Sequence, residues 1–320
     1  MTTIAAPNAA VVRFRELLRG WRIIVVGDRK TPTPWHVDGV DYIPYEDSSL
    51  GLAATIPPDS YSRKNLGYLA AIQAGAPVIV ETDDDNYPYD IFGTKLSRTV
   101  TGSVISELGW VNVYRAFTTQ PVWPRGLPLS IVRTTIARGL ERGDTVEAEC
   151  PIQQFLADGD PDVDAIYRLT RGDEVEFQGA PLILPPGTFS PINSQNTVWW
   201  PDSYRLLYLP SHVSWRVADI WRGLVATAVA KARGWSLAVL PPTVRQFRNP
   251  HDLLKDFREE VPVYLETAAT LDRLVDVVAG AADTAQALRV SWATLVEMGS
   301  VPPKELAIVD EWNEALSGAA

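Results

Sequence analysis

The chain has 320 residues, of which 46% are hydrophobic and 21% are charged. These proportions are typical of a globular protein and exclude a disordered, collagen-like or coiled-coil chain. The 39 acidic residues outnumber the 29 basic residues, which gives a formal net charge of −10. Proteins that bind a nucleic-acid backbone usually carry an excess of Lys and Arg, so a nucleic acid is not expected as a partner.

Cysteine content and the N-terminal residues indicate the compartment. Cys150 is the one cysteine of the chain, so no intramolecular disulfide can form. The first residues lack the basic and apolar regions of a secretion signal, and the chain has no apolar run long enough to span a membrane. We therefore expect a cytoplasmic protein without a transmembrane segment.

The N-terminal part of the chain alternates between helical and strand patterns. Apolar spacing and β-branched runs predict helices over 11–18 and 68–74 and strands over 22–26 and 77–80. Polar residues follow both strands. This order predicts a parallel α/β sheet, whose ligands bind at the carboxyl ends of the strands.

The remainder of the chain divides into two further parts. Between about residues 86 and 213, frequent Pro and Gly separate short segments, which predicts antiparallel strands and long loops. A helix is predicted over 217–233, and helical spacing continues beyond Pro262. We predict an α/β domain over 1–262 and a helical cap over 263–320, through which a homo-oligomer can form.

Several common catalytic motifs are absent. The chain lacks the Gly-rich dinucleotide fingerprint and the phosphate-binding loop that ends in Gly-Lys-Ser or Gly-Lys-Thr. It also lacks the nucleophile elbow of serine hydrolases and the paired histidines of zinc proteases. Dehydrogenase, NTPase and hydrolase functions therefore have no support from motifs.

An acidic run, Asp83, Asp84 and Asp85, follows the predicted strand over 77–80. Adjacent carboxylates repel one another unless solvent or a cation relieves the repulsion. Carboxylate oxygens suit Mg²⁺ or Mn²⁺, which commonly bind a few carboxylates together with substrate phosphates. An acidic surface turn is the alternative, but the preceding strand and the upstream Lys64 favour a site for a cation and a diphosphate.

Residues 61–76, running into the acidic segment 81–86, resemble the STELLO-type glycosyltransferase family. They resemble more distantly the reversibly glycosylated polypeptides, which are UDP-arabinopyranose mutases. Within residues 22–264, further similar blocks occur in the same order, at 25–32, 123–130, 162–170, 216–223, 246–251 and 255–257. The resemblance implies an α/β GT-A fold with a mixed sheet, a nucleotide-sugar donor and a divalent cation.

The resemblance also implies roles for individual residues. Asp83 and Asp85 are expected to hold Mn²⁺ or Mg²⁺, with His251 as a further ligand and Asp84 nearer the ribose or donor sugar. The other residues expected to contact the nucleotide, phosphates or sugar of the donor are Asp28, Lys30, Lys64, Asn65, Asp162 and Asp164.

Most of these residues have a structural alternative. Asp28 is also typical of a turn, and Asn65 is a good helix cap. His251 is equally consistent with a packing or surface histidine. Asp162 and Asp164 alternate along an extended stretch, where both face one side and either bind sugar hydroxyls or are solvated.

Asp219 and Arg125 are the candidate catalytic residues. In inverting GT-A enzymes, a carboxylate placed like Asp219 takes the proton of the acceptor hydroxyl, although acids near helix starts are also common. In the mutases, the arginine that matches Arg125 carries the transferred sugar. A protonated guanidinium is a poor nucleophile, so the simpler role for Arg125 is a fixed charge beside the diphosphate.

Taken together, these features predict a metal-dependent glycosyltransferase that moves a sugar from a nucleotide-diphosphate sugar, expected to be a UDP-sugar, to an unidentified acceptor. A UDP-sugar mutase that uses Arg125 as sugar carrier is the first alternative. A nucleotide-sugar-binding protein without turnover is the second. A nucleotidyltransferase is the third, although the Gly-rich N-terminal loop of that class is missing.

Overall fold

A computed structural model describes residues 1–248 and 251–318. The helices are α1 (Ala9–Leu17), α2 (Lys64–Gln73), α3 (Leu129–Ala137), α4 (Ala165–Thr170), α5 (Trp215–Arg233), α6 (Leu253–Val278), α7 (Thr284–Glu297) and α8 (Glu305–Ser317). Within the described ranges, none of the helices is both long enough and apolar enough to cross a bilayer.

The strands are mostly short. They are β1 (Thr2–Thr3), β2 (Ile24–Gly27), β3 (Asp41–Ile43), β4 (Ile79–Thr82), β5 (Asn86–Pro88), β6 (Thr99–Ile105), β7 (Gly109–Trp110), β8 (Arg142–Glu149), β9 (Ile152–Gly159), β10 (Leu182–Leu184), β11 (Thr188–Phe189), β12 (Asn196–Trp199) and β13 (Leu237–Gln246). The strand before the acidic run thus ends at Thr82, and α2 begins four residues earlier than the apolar pattern predicts.

The central sheet has eight strands of mixed orientation. Seven follow the order β4-β12-β9-β13-β10-β6-β8, and β5 pairs with the end of β13. The pairs β9–β13 and β6–β10 are parallel, and the other neighbours are antiparallel. The predicted mixed α/β fold and the antiparallel strands between residues 86 and 213 are therefore confirmed.

The N-terminal sheet differs from the prediction. β2 and β4 flank α2 in the chain, but β2 lies in a separate parallel sheet of order β1-β2-β3. The N–H of Val26 donates to the carbonyl of Met1, and β4 pairs antiparallel with β12 instead. The prediction of one parallel sheet containing both strands was wrong. β1 pairs with one edge of β2, and the sequence of a short strand does not indicate which strand it pairs with.

Helix α5 is buried along most of its length. Every residue from Arg216 to Ala230 is buried, including the charged ones. The helix begins after the N-cap Ser214 and ends at Gly234, which has a left-handed backbone with φ of 68°. At Gly223 the helix lies very close to a loop, since a Cβ there would be 2.1 Å from the carbonyl oxygen of Ile192.

The C-terminal helices share the main hydrophobic core with the central sheet. Helix α6 begins at Leu253 and runs through Pro262 to Val278. The predicted domain boundary between residues 262 and 263 therefore falls inside a helix. The reason is that the buried face of α6 continues on both sides of the proline, from Glu260 to Val263, so packing outweighs the cost of the missing N–H.

Candidate functional site

A polar cleft of about 70 Å³ lies between the acidic run and the first turn of α5. Its charged lining consists of three carboxylates and three guanidinium groups, which belong to Asp83, Asp162, Asp219, Arg125, Arg216 and Arg248. These residues come from loops after β4, β9 and β13, from the loop before α3, and from α5. Four of the predicted site residues, Asp83, Arg125, Asp162 and Asp219, thus meet in one place.

Arg125 uses all of its hydrogen-bond donors inside the protein. Its Nε and Nη2 donate to Asp162 at 2.7 and 3.1 Å, and its Nη1 and Nη2 donate to Asp219 at 3.0 and 2.9 Å. Nη1 also donates to the carbonyl oxygen of Arg216. A guanidinium has five N–H groups, and each of them here has an acceptor.

The two aspartates differ in their pKa. Burial raises the pKa of Asp219, but the charge and hydrogen bonds of Arg125 outweigh burial and leave this pKa below its ordinary value. Burial and the charge of Asp219 raise the pKa of Asp162 despite its own contact with Arg125. Burial lowers the pKa of Arg125, yet the two carboxylates raise it well above its usual range. At neutral pH, Arg125 is therefore protonated and Asp219 is ionised.

Lys64 connects the acidic run to the opposite wall of the cleft. Its side chain is 1% exposed, and its Nζ donates to Asp83 at 2.8 Å, to the hydroxyl of Tyr61 at 2.9 Å and to the carbonyl of Ser194 at 3.1 Å. An ammonium group has three N–H donors, so Lys64 is also fully paired. Ser194 in turn donates its N–H and hydroxyl to Asp219.

The other two acidic residues of the run have different partners. Asp84 accepts a hydrogen bond from the hydroxyl of Thr3, and both carboxylate oxygens of Asp85 accept from Nε2 of Gln246 at 3.1 Å. Burial, reinforced by the charge of Asp83, raises the pKa of Asp85 to about 7. The acidic run is therefore held in place by the protein rather than turned freely into solvent.

The three-ligand metal site predicted from Asp83, Asp85 and His251 is not assembled. Within residues 1–248 and 251–318, no three His, Cys, Asp or Glu side chains are placed to hold a metal ion. The ring of His251 packs against Trp215 at 5.3 Å between centroids, and its Nδ1 is 3.7 Å from Asp256. Carboxylates such as Asp83 and Asp85 are ligands that hard cations take together with water and phosphates, although of the two only Asp83 lines the cleft.

Two predicted donor contacts lie on the loop after β2. Asp28 is buried, and its two carboxylate oxygens accept from the N–H groups of Asp59 and Ser60 at 2.9 and 3.0 Å. Lys30 is exposed and lies 3.6 Å from Asp59. Asp28 therefore has the hydrogen bonds of the turn-forming alternative, and neither residue lines the cleft.

Asn65 and Asp164 hold neighbouring segments. Asn65 lies inside α2 rather than at its cap, and its side chain binds both the N–H and the carbonyl of Leu209. Asp164 is the N-cap of α4 and accepts from Tyr167 N–H and from the indole N–H of Trp123. Asp162 and Asp164 are both buried rather than solvated, and their side chains bond to one segment of the chain, at Arg125 and Trp123 respectively.

The sequence did not identify several residues of the cleft. Arg216, Gln246 and Arg248 line the cleft. They belong to blocks that carry the family resemblance, but the sequence assigned them no role in a site. Trp215 lines the cleft with 39% of its surface exposed, and Ser194 comes from a segment without a recognisable pattern. Two further residues of the block at 246–251, at positions 249 and 250, lie outside the described residues.

Two larger cavities lie nearby. The outer pocket, of about 550 Å³, borders the cleft and shares Gln246 and Arg248 with it. The α2 cavity, of about 430 Å³, lies between α2, β2 and β4 and has a mainly apolar lining. We place the functional site in the smaller cleft, because that is where ionised groups from distant parts of the chain converge.

Comparison with known proteins gives a family. The model of the STELLO glycosyltransferases matches residues 216–289, which extend from α5 through α6 into α7. The chain is 30% identical over 253 residues to the probable glycosyltransferase STELLO1 of Arabidopsis thaliana, and 30% identical over 256 residues to the probable glycosyltransferase STELLO2 of the same plant.

Each of these two matches covers 72% of this chain and 33% of the relative, so the chain corresponds to about a third of the length of either protein. The family match continues past residue 264, where the resemblance was expected to end. The additional matched residues lie in α6 and α7, which pack on the same core as α5. Over this shared region, the chain belongs to the STELLO glycosyltransferase family.

Proposed function

We propose that this protein transfers a sugar from a nucleotide-diphosphate sugar, most simply a UDP-sugar, to an acceptor hydroxyl. The observation that carries the proposal is the convergence of Asp83, Arg125, Asp162 and Asp219 in one cleft of a chain related to named glycosyltransferases. Carboxylates of this kind bind sugar hydroxyls and cations, and guanidinium groups attract phosphates. Trp215 also lines the cleft, with the guanidinium of Arg216 over its ring and the ring of His251 packed against it.

The acceptor hydroxyl would lose its proton to Asp219. This carboxylate is ionised and is held in one orientation by Arg125 and Ser194. A general base must be ionised and held in place; the lowered pKa also makes Asp219 a weak base, which takes the proton only as the acceptor oxygen bonds to the sugar. Arg125 acts in this scheme as a positioning residue, because its five N–H groups are all engaged with the protein.

Asp83 and Asp85 would hold Mn²⁺ or Mg²⁺ together with the phosphates of the donor. A bound cation would act as a Lewis acid and neutralise charge on the departing diphosphate. Lys64 contributes by fixing the carboxylate of Asp83 through its salt bridge.

The mutase alternative requires Arg125 to become a nucleophile. The guanidinium would have to lose a proton and give up hydrogen bonds to two carboxylates that raise its pKa. This arrangement favours transfer over ring interconversion. Intact-mass measurement after incubation with a UDP-sugar distinguishes the two, because only the mutase chemistry adds a sugar to Arg125.

The proposal is tested by measuring free UDP released from a panel of UDP-sugars, with Mn²⁺, with Mg²⁺ and with a chelator. We expect release from at least one donor and a loss of about 100-fold or more in D219N, the size typical for a general base. D158N is the matched control, since Asp158 is a buried acid that bonds Tyr89 and Phe177 away from the cleft. Full activity of D219N, or no release from any donor, contradicts the proposal.

A further inference from the structure

The cations around the cleft differ in how many of their donors are already paired. Every N–H of Arg125 and Lys64 has an acceptor within the protein. Arg248 has fewer partners: its Nε, like the Nε of Arg168 and Arg222, is buried and has no hydrogen-bond partner in the part of the chain that the structure describes. Its recorded hydrogen bond runs from Nη2 to Asp256 at 3.2 Å.

Arg248 also occupies a distinctive position. It follows β13 and lines both the cleft and the outer pocket, and its side chain is 12% exposed. Burial and the positive charges of Arg168 and Arg216 lower the pKa of Arg248 to about 10. A cation that has lost water without gaining enough acceptors is unfavourable, and an anion beside it would relieve this cost.

We propose that Arg248 is the residue that binds the diphosphate of the donor, through N–H donors that have no acceptor among the described residues. This inference rests on the proposed function and assigns to Arg248 the phosphate contact that the sequence analysis expected of Arg125 and Lys64. A guanidinium can hold phosphate oxygens with two parallel hydrogen bonds, which gives both strength and orientation.

A diphosphate fits this place better than a phosphate of the acceptor. Arg248 lies in the same cleft as Asp83, and its positive charge acts on Asp85. A donor whose phosphates share a cation with Asp83 and Asp85 therefore lies within reach of Arg248. The outer pocket, on the other side of Arg248, is then left for the acceptor.

The experiment is a calorimetric titration of UDP, uridine and inorganic pyrophosphate into wild-type protein and three variants. In R248A we expect UDP to bind about 10- to 100-fold more weakly, the range for lost charge-assisted hydrogen bonds, with uridine unchanged. R245A is the matched control, because Arg245 precedes it by three residues and pairs with Glu174 and Glu176. D256N removes the negative charge beside Arg248 but keeps an amide oxygen that can accept its hydrogen bond, so this variant should keep its UDP affinity.

The outcomes separate the inference from the proposed function. Suppose that the wild type releases UDP from a UDP-sugar, by hydrolysis or by sugar transfer, but R248A binds UDP as tightly as the wild type. The role of Arg248 is then overturned and the proposed function stands. If UDP does not bind but pyrophosphate binds and is lost in R248A, the anion site stands and the UDP donor is wrong. Equal weakening in D256N and R248A assigns Arg248 a structural role and overturns the inference, as does failure of both ligands to bind.

Discussion

The buried ion pairs of α5 and the charged margin of the cleft, by which we mean its lining residue Arg248, contain the same residue types but differ in their hydrogen-bond partners. Arg222, on α5, donates from Nη1 and Nη2 to the two oxygens of Glu81 at 2.9 and 2.7 Å, and both side chains are at most 1% exposed. Glu81 also accepts from the indole of Trp199 at 2.8 Å. At the cleft, Arg248 has one recorded hydrogen bond, from Nη2 to Asp256, among the described residues, while the Nε of both arginines is buried without a partner there.

The difference indicates which charged residues stabilise the fold and which are suited to bind a ligand. A buried charge that faces a carboxylate through two parallel hydrogen bonds fixes the spacing of the elements that carry it, and removing one partner leaves the other uncompensated. The Glu81–Arg222 pair fixes α5 against β4, immediately before the acidic run. A charge with free donors is suited instead to an arriving ligand. We therefore expect interior substitutions to act mainly on stability and margin substitutions mainly on ligand affinity.

The largest effect is expected from E81Q. The neutral amide cannot balance the charge of Arg222, so the free energy of unfolding should fall by about 3–5 kcal/mol, the cost of breaking a buried ion pair. Urea unfolding followed by circular dichroism measures the change. D41N, which removes an exposed partner of Arg22, should change stability by no more than about 1 kcal/mol. Similar values for both variants would contradict the contrast.

R125K should combine both kinds of effect. A lysine has the charge of Arg125 but cannot bridge Asp162 and Asp219 with paired hydrogen bonds. We expect stability to fall by about 2–4 kcal/mol and UDP release to be largely lost, as measured by unfolding and by product assay. R138K, which alters an exposed pair with Glu107, serves as the control and should match the wild type. A fully active and stable R125K would refute the positioning role.

G223A sharpens the comparison by moving the helix instead of a charge. The added methyl group would lie 2.1 Å from the carbonyl oxygen of Ile192, so α5 must shift. We expect a loss of about 1–3 kcal/mol in unfolding free energy, as for an overpacked interior, and reduced activity because Asp219 lies one turn earlier on α5. G280A has no atom within 4 Å of its new methyl group and should leave both quantities nearly unchanged.

Cys150 provides the smallest expected effect. The thiol is buried, and burial raises its pKa to about 12, so almost no thiolate forms at neutral pH. Ellman's reagent should therefore react with the native protein only as fast as the interior opens, and rapidly in urea. Addition of UDP should slow the native reaction if ligand binding stabilises the folded state. Rapid labelling of the native protein would mean that the interior is not closed as described.

The sequence predicted the parts of the fold and site that depend on local patterns. Strand β4 before Asp83, helix α5 with Asp219 in its first turns, and the C-terminal helices follow from apolar spacing. The mixed sheet and GT-A character came from the family resemblance rather than from the periodicity of the chain. The acidic run is also a local signal, because three consecutive carboxylates are unusual directly after a buried strand.

Contacts between distant residues were not predictable. Arg125 and Asp219 are 94 positions apart, and nothing local to either residue indicates that all donors of the guanidinium would be used. The edge pairing of β1 with β2 and the packing of His251 on Trp215 depend likewise on tertiary contacts. Local patterns therefore indicate which residues carry a charge, whereas tertiary contacts decide which of those charges are paired.

The central claim, that the cleft is the donor site, is tested most directly by an experimental structure of the protein with UDP and Mn²⁺. The account predicts a diphosphate in the cleft, within hydrogen-bond distance of Arg248 and on the side of Asp83 and Asp85. A UDP molecule bound instead in the α2 cavity, or a diphosphate with Arg248 turned away from it, would contradict that claim.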